Sequence, residues 1–432
     1  MQEDFLYYVW KLQYFDKKAL TTCQGESLRI YDPGTRNDHA GPDFLKGSIT
    51  INDVTWYGHI EMHINASDWY AHQHQNDKAY DNVILHVVWN YDKDIQQQDG
   101  TLMPTLVLKD RVAPQLHQQY QRLVHNKATI PCAKHLPQVP ELVRVSMLDK
   151  ALFQRLTHKN NLVYRLLADN RGDWEATAYQ LLAYNFGFKV NSSIFLDLAR
   201  NLSLKTLAKH ADNLLELEAL LLGQASLLPT NKEPQDAYLE ALKKTYNYLI
   251  HKYPLIVGKV QEHQWNFFRL RPANFPTIRI AQFAQLLHQN PSIFDLLVNM
   301  PTQLLYKKLA IRQSPYWQEH YRFAQRSNTK IPGLGKASIE HILINTAVPL
   351  LVAYGKTKDE QDYIDRAIAI LQHLPAENNI ITRHWEDVGI KAKNAFDSQA
   401  LIELFNNFCT KKQCLSCAIG VAIIQKNMKV LY

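Results

Sequence analysis

The sequence is poor in cysteine and in the residues that interrupt regular structure. Its 432 residues include 15 glycines, 18 prolines and five cysteines, whereas 46% are hydrophobic. The scarcity of glycine and proline excludes a collagen-like or low-complexity chain, and the apolar content predicts ordered globular domains with substantial cores. Five cysteines in a chain of this length argue against a disulfide scaffold, so a reducing cytoplasm is the expected location.

Two further absences concern targeting and membranes. The first residues, from Met1 to Phe5, lack the basic region and the apolar run of a secretory signal. No apolar stretch approaches the length of a membrane span. The sequence therefore predicts a protein without a membrane partner.

Charge is distributed unevenly along the chain. Residues 1–130 hold 12 Lys+Arg against 16 Asp+Glu, whereas residues 131–432 hold 36 against 25. An acidic segment with several histidines, joined to a basic one, suits a metal site beside a surface that binds DNA or RNA. A solvated, lysine-rich helical surface would give the same balance.

Periodicity divides the chain into a mixed part and a helical part. Residues 3–14 have helical spacing. Alternation and apolar runs predict strands at residues 28–31, 46–52, 54–64, 83–91 and 105–108. Between the third and fourth strands, Ser67 or Asp68 can cap a helix that reaches toward Asp81. The expected domain is an α/β (α+β) layer of residues 1–126.

A proline-containing segment follows this domain. Three prolines between residues 127 and 141 predict a linker there. Beyond it, leucine, alanine, glutamine and lysine recur at helical spacing, and β-branched alternation is scarce. Residues 142–432 are therefore expected to form a large all-helical domain.

The densest polar cluster lies within residues 41–91. Six of the 18 histidines fall between residues 39 and 86. Because side chains alternate along a strand, His59, Glu61 and His63 are expected to project from one face. These residue types bind metals or move protons.

The pattern resembles the core of PD-(D/E)xK nucleases. Pro42-Asp43 stands at a strand start, and Glu61-x-His63 lies on the next strand, before a helix and an apolar strand. The resemblance implies a restriction-endonuclease-like core in which Asp43, Glu61 and the carbonyl of Met62 hold Mg²⁺ or Mn²⁺. Hard oxygen ligands suit these ions. The implied activity is that of a metal-dependent nuclease or phosphodiesterase.

The last position of the motif departs from the nuclease pattern, which usually has lysine there. His63 could act as a general base near neutral pH, or it could bind the metal directly. With His59 beside it, the second role makes Zn²⁺, Mn²⁺ or Fe²⁺ more plausible than Mg²⁺ alone. Lys46 or Lys78 could instead supply the missing amine. The sequence leaves these alternatives open.

The predicted helix after the second motif strand adds accessory candidates. Residues that would share one of its faces are Tyr70, His74, Asp77 and Asp81. The residues to which we assign accessory roles are Lys46, Asp68, His72, His74, Asp77 and Tyr80. His86, inside the apolar strand, is expected to be a buried core histidine.

More broadly, the chain is similar to an uncharacterised bacterial family, domain of unknown function 2851, over essentially its whole length. The matching positions are Asn37, residues 41–44, 58–63 and 67–69, His72, His74, Asp77, Tyr80, and residues 83–86, 271–276 and 414–417. This family carries no established activity, so the resemblance implies membership but no particular chemistry.

The C-terminal cysteines form a second candidate metal site. Cys409, Cys414 and Cys417 have metal-ligand spacing, and Cys132 follows the α/β domain. Together they could hold Zn²⁺ or an iron–sulfur cluster. This arrangement, in which one cysteine is followed at a distance by three more, resembles the iron–sulfur staples of some helicase-linked nucleases, although the spacing differs from theirs. Ordinary buried thiols are the alternative.

Aromatic and arginine residues are interleaved in residues 265–279, a composition typical of single-stranded nucleic-acid binding. The same arginines could instead pair with carboxylates of the helical domain. Residues 331–336 resemble a helix-hairpin-helix hairpin, whose amides would bind phosphate. The candidate contacts to DNA or RNA are Arg269, Arg271, Arg279 and Lys336.

Three functions fit these observations, and the first is our prediction. It is a metal-dependent nuclease or phosphodiesterase acting on nucleic acid, with Asp43, Glu61 and His63 as catalytic residues. The second is a non-catalytic nucleic-acid or protein-binding protein on a degenerate nuclease fold. The third is a small-molecule metallohydrolase, for which too few strands are predicted to close a barrel.

Overall fold

The computed structural model describes residues 3–229, 236–253 and 259–426, and the chain forms two compact units. The first, called the sheet unit, comprises Met1–Asp149, Arg383–Ile390 and Ile402–Tyr432. The second, called the helical unit, comprises Lys150–Thr382 and Lys391–Leu401. The structure thus divides the chain differently from the sequence, because both expected boundaries, at residues 126 and 141, fall within the sheet unit.

The sheet unit is built on a mixed sheet. Its strands are β1 (Leu28–Asp32), β2 (Thr35–Arg36), β3 (Phe44–Ile51), β4 (Val54–Asn65), β5 (Val83–Asn90) and β6 (Thr105–Val107). The order is β1-β3-β4-β5-β6, with β2 paired to β3. The pairs β1–β3 and β3–β4 are antiparallel, whereas β4–β5 and β5–β6 are parallel. The five predicted strands are confirmed, and only the short β2 was missed.

The first helix covers one face of this sheet. The helix α1 (Glu3–Lys11) packs against β4 and buries Phe5, Leu6 and Val9, whose spacing places them on one helix face. Ile60 on β4 is also fully buried. The helical expectation for residues 3–14 is confirmed, with the helix ending three residues earlier.

A short crossover joins the parallel strands β4 and β5. It contains the single-turn helix α2 (Asp68–Ala71) and two 3₁₀ turns, His74–Asn76 and Lys78–Tyr80. The prediction of one helix reaching Asp81 is wrong, because Gln73 adopts a left-handed conformation with φ 60° that ends the helix. The four residues expected on one helix face therefore do not share one. The local geometry instead comes from turns.

The sheet unit is completed by helices from both ends of the chain. They include α3 (Pro114–Val124), the 3₁₀ segment Ala133–Gln138 and α18 (Ala418–Gln425). The helix α18 packs against α3 and against the 3₁₀ segment. The predicted linker at residues 127–141 therefore contains regular structure, and its Leu136 side chain is buried.

The helical unit is formed almost entirely by helices. Its helices, three of which extend past its boundaries, are α4 (Glu141–Asp169), α5 (Trp174–Phe186), α6 (Ser192–Asn201), α7 (Leu204–Ala208), α8 (Leu214–Gln224), α9 (Ala237–Lys252), α10 (Pro276–Gln289), α11 (Thr302–Leu309), α12 (Pro315–Glu319), α13 (Lys336–Ile342), α14 (Val348–Lys358), α15 (Gln361–His373), α16 (Ile380–Asp387) and α17 (Ala395–Glu403). The all-helical prediction missed a hairpin of β7 (His320–Arg322) and β8 (Gln325–Arg326).

The structure contains one helix that is long and apolar enough to span a membrane, so the expectation that no apolar stretch has this length is wrong. The continuous helix Lys336–Lys358 has the length and composition of a membrane span, but 67% of its most apolar 18-residue stretch is buried inside the protein. A core helix of a globular protein has the same composition. Its apolar residues are therefore accounted for by packing within the helical unit.

A buried carboxyl group should make the helical unit sensitive to pH. Glu218 on α8 is 1% exposed, and its Oε2 accepts a hydrogen bond from the Tyr238 hydroxyl at 2.5 Å. Burial raises the pKa of Glu218 to about 7 from 4.5. A carboxyl group whose pKa is higher in the folded than in the unfolded protein contributes stability below the unfolded pKa. This stability is lost as the pH rises through the folded pKa, which is about 7 for Glu218.

We therefore expect Glu218→Gln to stabilise the protein at pH 8, by about 3 kcal/mol, and to change little at pH 5. Thermal unfolding at the two pH values measures this difference. The exposed Glu240 on α9 supplies the control, since Glu240→Gln should have the same small effect at both. A destabilised Glu218→Gln at pH 8 would contradict the expectation.

Candidate metal centre

Two carboxylates meet where β3 begins beside β4. Asp43 directly precedes β3, and its backbone N–H donates to Glu61 Oε2 at 3.0 Å. The backbone N–H of Met62 donates to Asp43 Oδ2 at 3.2 Å. The pairing of Phe44 with Ile60 across the two strands brings these groups together. The expected proximity of Asp43 to Glu61 is therefore present.

Both carboxylates have raised pKa values. Burial is the main cause for each, and the Asp43 carboxylate raises the pKa of Glu61 further. The Arg36 guanidinium partly opposes the shift at Asp43, as does the His74 imidazole at Glu61. Two buried, neighbouring carboxylates are costly to ionise, and a bound cation would offset this cost.

Three imidazoles converge beside Glu61. Ligand nitrogens of His63, His72 and His74 all lie within 4.8 Å of one another, and no other such group of three or more occurs among the described residues. His63 Nε2 lies 3.2 Å from His72 Nδ1. Glu61 Oε1 lies 3.5 Å from His63 Nε2 and 3.3 Å from His74 Nε2. We call these four residues the His–Glu cluster.

The donor atoms of the His–Glu cluster fit a transition metal. The buried His74 Nε2 makes no well-aligned hydrogen bond, and its near neighbour is Glu61 Oε1 at 3.3 Å, so a bound cation would contact both atoms. Three nitrogens and one carboxylate oxygen suit Zn²⁺, Mn²⁺ or Fe²⁺. Mg²⁺, which prefers oxygen ligands and bound water, fits this set less well.

The buried position of His63 favours a ligand role over a base role. Its side chain is 1% exposed, and burial with the neighbouring imidazoles lowers its pKa to about 2. A group with so low a pKa is a weak proton acceptor near neutral pH, whereas a neutral imidazole is a good metal ligand. Of the two roles that the sequence leaves open, the geometry therefore supports metal binding.

His86 lies directly behind His63. The two side chains are joined by a hydrogen bond of 2.8 Å between His63 Nδ1 and His86 Nε2, and His86 is fully buried. His86 is thus a core histidine, as expected, and it also orients a candidate ligand, which the sequence did not indicate. The parallel register that pairs Glu61 with His86 places it there.

Replacing His86 should weaken metal binding without removing a ligand. We expect His86→Leu to lower metal affinity by about 10–100-fold, because partners that orient ligating imidazoles contribute that much. A competition titration with a chromophoric chelator measures the change. The exposed His125 on the end of α3 provides the control, and His125→Leu should leave the affinity unaltered.

His59 and Lys46 lie at an irregularity of the sheet, and His59 is not part of the group of convergent nitrogens. The register shifts between His59 and Ile60, and Lys46 has a positive φ of 61°. The backbone N–H of Lys46 donates to His59 Nδ1 at 3.3 Å. The expected projection of His59 beside Glu61 and His63 assumed a regular strand, which these bulges interrupt.

The other accessory candidates support the local turns or the imidazoles. Asp68 Oδ2 accepts a hydrogen bond from the backbone of Asn65 at 2.9 Å, and Asp77 Oδ1 accepts one from Ala79 at 2.9 Å. The Tyr80 ring stacks on His74 with centroids 3.8 Å apart. Tyr80 therefore restrains a member of the His–Glu cluster.

Arg36 and Tyr7 are neighbours of the site that the sequence did not identify. Arg36 Nη1 lies 2.7 Å from Asp43 Oδ1, and the guanidinium sits 3.7 Å from the centroid of the Tyr7 ring. Burial and the Asp43 carboxylate raise the pKa of Tyr7. Only the folded sheet brings β2 beside the start of β3, so no local sequence signal marks this contact.

The candidate nucleic-acid residues differ in accessibility. Arg269, Arg271 and Lys336 are exposed, and Lys336 Nζ lies 4.0 Å from Glu340 Oε1. Arg279 is 6% exposed and donates to the neutral side chains of Asn274, Gln282 and Ser338. The buried guanidinium pairs with no carboxylate of the described residues, since its hydrogen-bond partners are amides and a hydroxyl.

A mixed sheet with buried carboxylates beside three converging histidines defines a candidate metalloprotein. The chain belongs to the family described as protein of unknown function (DUF2851), whose model matches residues 3–380. No curated protein and no solved structure matches the chain. The predicted family membership is confirmed. The match contains the His–Glu cluster and ends before Cys409.

Proposed function

We propose that this protein is a metal-dependent nuclease or phosphodiesterase acting on nucleic acid. Its metal is held by the His–Glu cluster of Glu61, His63, His72 and His74. The convergence of these four side chains, from one strand and one crossover, is the observation that carries the proposal. Three imidazoles within ligand distance of one another, with the Glu61 carboxylate beside two of them, form a donor set that transition metals bind.

The order of elements supports a phosphodiester substrate. A helix, an antiparallel run of β1, β3 and β4, a crossover and a parallel β5 follow the order of the nuclease core that the motif resembles. By that resemblance, Asp43 at the start of β3 and Glu61 on β4 would correspond to the two acidic residues of the nuclease core. This support rests on resemblance, so the substrate class needs its own test.

The residues around the site have separable roles. A cation bound there would lower the pKa of a bound water and neutralise charge on a phosphate. Glu61 contacts both Asp43 and the imidazoles. Its Oε2 accepts a hydrogen bond from the Asp43 N–H, and its Oε1 faces His63 and His74. His72 is the exposed member of the His–Glu cluster, so substrate reaches the site from its side.

A non-catalytic binding protein is the second candidate, and the Arg36–Asp43 ion pair favours it. The 2.7 Å contact already neutralises one of the two carboxylates that the nuclease motif uses. A carboxylate held this way is less available to a metal or a substrate. In this reading the sheet unit binds a partner without cleaving it.

Cleavage assays with labelled single- and double-stranded DNA and RNA distinguish the two candidates. The protein is loaded separately with Mn²⁺, Zn²⁺ or Mg²⁺, and His125→Ala serves as a control. Metal-dependent cleavage that disappears in His72→Ala supports the proposed function. Binding without cleavage under every metal supports the second candidate with a nucleic acid as its partner, and neither binding nor cleavage contradicts the proposed function.

A further inference from the structure

Four cysteines from distant parts of the chain lie together in the sheet unit. Cys132 precedes the 3₁₀ segment Ala133–Gln138, whereas Cys409, Cys414 and Cys417 precede α18. Each of the four is 8–9% exposed, and none forms a disulfide. Four buried free thiols drawn from two segments match the ligand number of a four-cysteine metal site.

Backbone contacts hold the two cysteine segments against each other. The helix α18, capped by Cys417, packs on the 3₁₀ segment that Cys132 caps. Lys412 Nζ donates to the carbonyl of Asn126 at 2.6 Å, and Asn126 Nδ2 donates to the carbonyl of Pro131 at 2.8 Å. These bonds hold the loop of residues 409–417, called the cysteine loop, against the residues beside Cys132.

A glycine lets the cysteine loop fold back on its helix. A Cβ built on Gly420 would lie 2.2 Å from the carbonyl oxygen of Cys414. Since a real Cβ never approaches backbone so closely, only glycine allows Cys414 to lie over the first turn of α18. The loop conformation that brings the thiols together therefore requires the glycine at position 420.

The thiols are close enough to affect each other's ionisation. Burial, with Cys417 and Cys414 nearby, raises the pKa of Cys132 to about 12. Burial and the other three cysteines raise the pKa of Cys409, and burial and Cys417 raise that of Cys414 to about 11. A cation among these sulfurs would reverse the shifts by stabilising the thiolates.

The spacing of the sulfurs distinguishes a single ion from a cluster. Sulfurs bound to one Zn²⁺ at about 2.3 Å must lie within about 4 Å of each other. Among the described residues, three ligand atoms within 4.8 Å of one another occur in the histidine group, and no three of the thiols are so close. The thiols are therefore spaced more widely than the ligands of one zinc ion.

We propose that Cys132, Cys409, Cys414 and Cys417 hold a [4Fe–4S] cluster that joins the two segments of the sheet unit. Four cysteine thiolates are the usual ligands of such a cluster. A preassembled [4Fe–4S] core binds without a change of oxidation state, and each thiol loses its proton to solvent as its sulfur binds iron. This site is independent of the His–Glu cluster and of the proposed nuclease activity.

Anaerobic purification of the full chain tests the proposal. We expect about four acid-labile sulfides per chain, with four iron ions beyond any that the His–Glu cluster holds, and visible charge-transfer absorption. Cys132→Ser and Cys414→Ser should each lose both elements. The exposed Cys23 gives the control, and Cys23→Ser should keep them. Zinc at one ion per chain without sulfide, or no metal at all, would overturn the assignment.

Reconstitution separates loss of the cluster from loss of the fold. The purified chain is freed of metal and then incubated anaerobically with ferrous iron, sulfide and a thiol reductant. Absorption should return in the wild type and in Cys23→Ser, but not in Cys132→Ser. Circular dichroism of the same samples reports folding. Equal recovery in a folded Cys132→Ser variant would contradict the role of that residue.

A second inference concerns a buried cation in the helical unit. Arg279 on α10 is 6% exposed, and its Nη atoms donate only to neutral groups. No carboxylate of the described residues forms an ion pair with Arg279, and its buried Nε has no hydrogen-bond partner. Burial lowers the pKa of Arg279 to about 10. A buried charge without a counter-charge is costly, so an anion would stabilise it.

Arg279 lines a cavity of about 330 Å³. Ala337, Ser338 and His341 line it too, from the first turns of the helix Lys336–Lys358. No side chain caps the start of this helix, and although the N–H groups of Ser338 and Ile339 bond to the Gly335 carbonyl, those of Lys336 and Ala337 remain available. Burial and the nearby cations Lys159 and Arg279 lower the pKa of His341 to about 4. The cavity is therefore positively polarised.

We propose that this cavity binds a phosphate monoester. A guanidinium N–H, the Ser338 hydroxyl and the backbone amides at a helix start offer several donors to one oxyanion, which suits a phosphate. Phe188, Phe195 and Leu270 form an apolar wall for the organic part of the ligand. The phosphate could belong to a free nucleotide or to the 5′ end of a nucleic acid strand.

Calorimetric titration with inorganic phosphate, AMP and 5′-phosphorylated or unphosphorylated oligonucleotides tests this site and separates the two sources. We expect binding of phosphate esters to weaken at least tenfold in Arg279→Gln. The exposed Arg383, which lies outside the helical unit, gives the control variant Arg383→Gln, which should bind normally. Absence of binding to every phosphate probe, or unchanged binding in Arg279→Gln, would overturn the inference.

Arg279→Met keeps the test valid if Arg279→Gln folds poorly. Removal of a buried charge that lacks a counter-charge should leave the ligand-free protein folded, with an unchanged or higher melting temperature. The same variant should not be stabilised by AMP, whereas the wild type should be. A folded Arg279→Met protein that AMP still stabilises would contradict the proposal.

Discussion

Glu61→Gln and His72→Ala should each strip the bound metal from the sheet unit and reduce metal-dependent cleavage by about a hundredfold or more. Glu61 contributes the carboxylate oxygen that faces both His63 and His74, so its amide replaces a charged ligand with a neutral one. His72 is exposed, so its loss removes a ligand without creating a cavity in the core. Both variants should therefore fold.

The measurement combines metal content with turnover on the same preparations. Metal is quantified after purification and again after reloading with Mn²⁺ or Zn²⁺, and circular dichroism follows the fold. His125→Ala, which changes an exposed imidazole outside the His–Glu cluster, is the matched control. Full metal content in both folded variants would exclude the His–Glu cluster as the metal site.

Gly58→Ala should destabilise the sheet unit by about 3 kcal/mol. A Cβ at Gly58 would lie 2.5 Å from the carbonyl oxygen of Asn82 and 2.5 Å from Ile84 Cγ2. The backbone N–H of His59 donates to that same Asn82 oxygen at 2.8 Å, so the strands cannot separate without losing this bond. The new methyl group must therefore displace the start of β5.

The displacement should reach the His–Glu cluster as well. His86 lies two residues beyond Ile84 on β5 and orients His63, so metal affinity should fall together with the melting temperature. Gly100→Ala provides the contrast, because its added Cβ meets open space and only the positive φ of 81° is strained. That variant should lose about 1 kcal/mol and bind metal normally. Equal melting temperatures for the two variants would contradict the steric account.

The strands of the sheet unit were predictable because their patterns are local. Alternation along residues 54–64 and the apolar run at 83–91 identify β4 and β5 without knowledge of their partners. The crossover between them was not predictable, since a single left-handed residue, Gln73, ends the helix that the flanking pattern favours. Propensity alone gives no sign of that conformation at a glutamine.

Part of the candidate site followed from the motif, and part required the fold. Asp43 and Glu61 were identified by their spacing, and the structure places them within hydrogen-bonding reach. The contacts of Arg36 and His86 depend on which strands pair and in which register, which is long-range information. Likewise, the burial of Arg279 depends on the packing of α10, although its sequence neighbours resemble those of a surface segment.

The division of the sheet unit between two stretches of chain bears on how the protein forms during translation. Its strands leave the ribosome early, but the residues from Ile402 onward follow about 250 residues later. At about 5–20 residues per second, this delay lasts about 10–50 s. Gln425, which donates to the hydroxyls of Tyr8 and Tyr14, arrives only then. The nascent sheet must therefore persist, partly uncovered, until its last helix is synthesised.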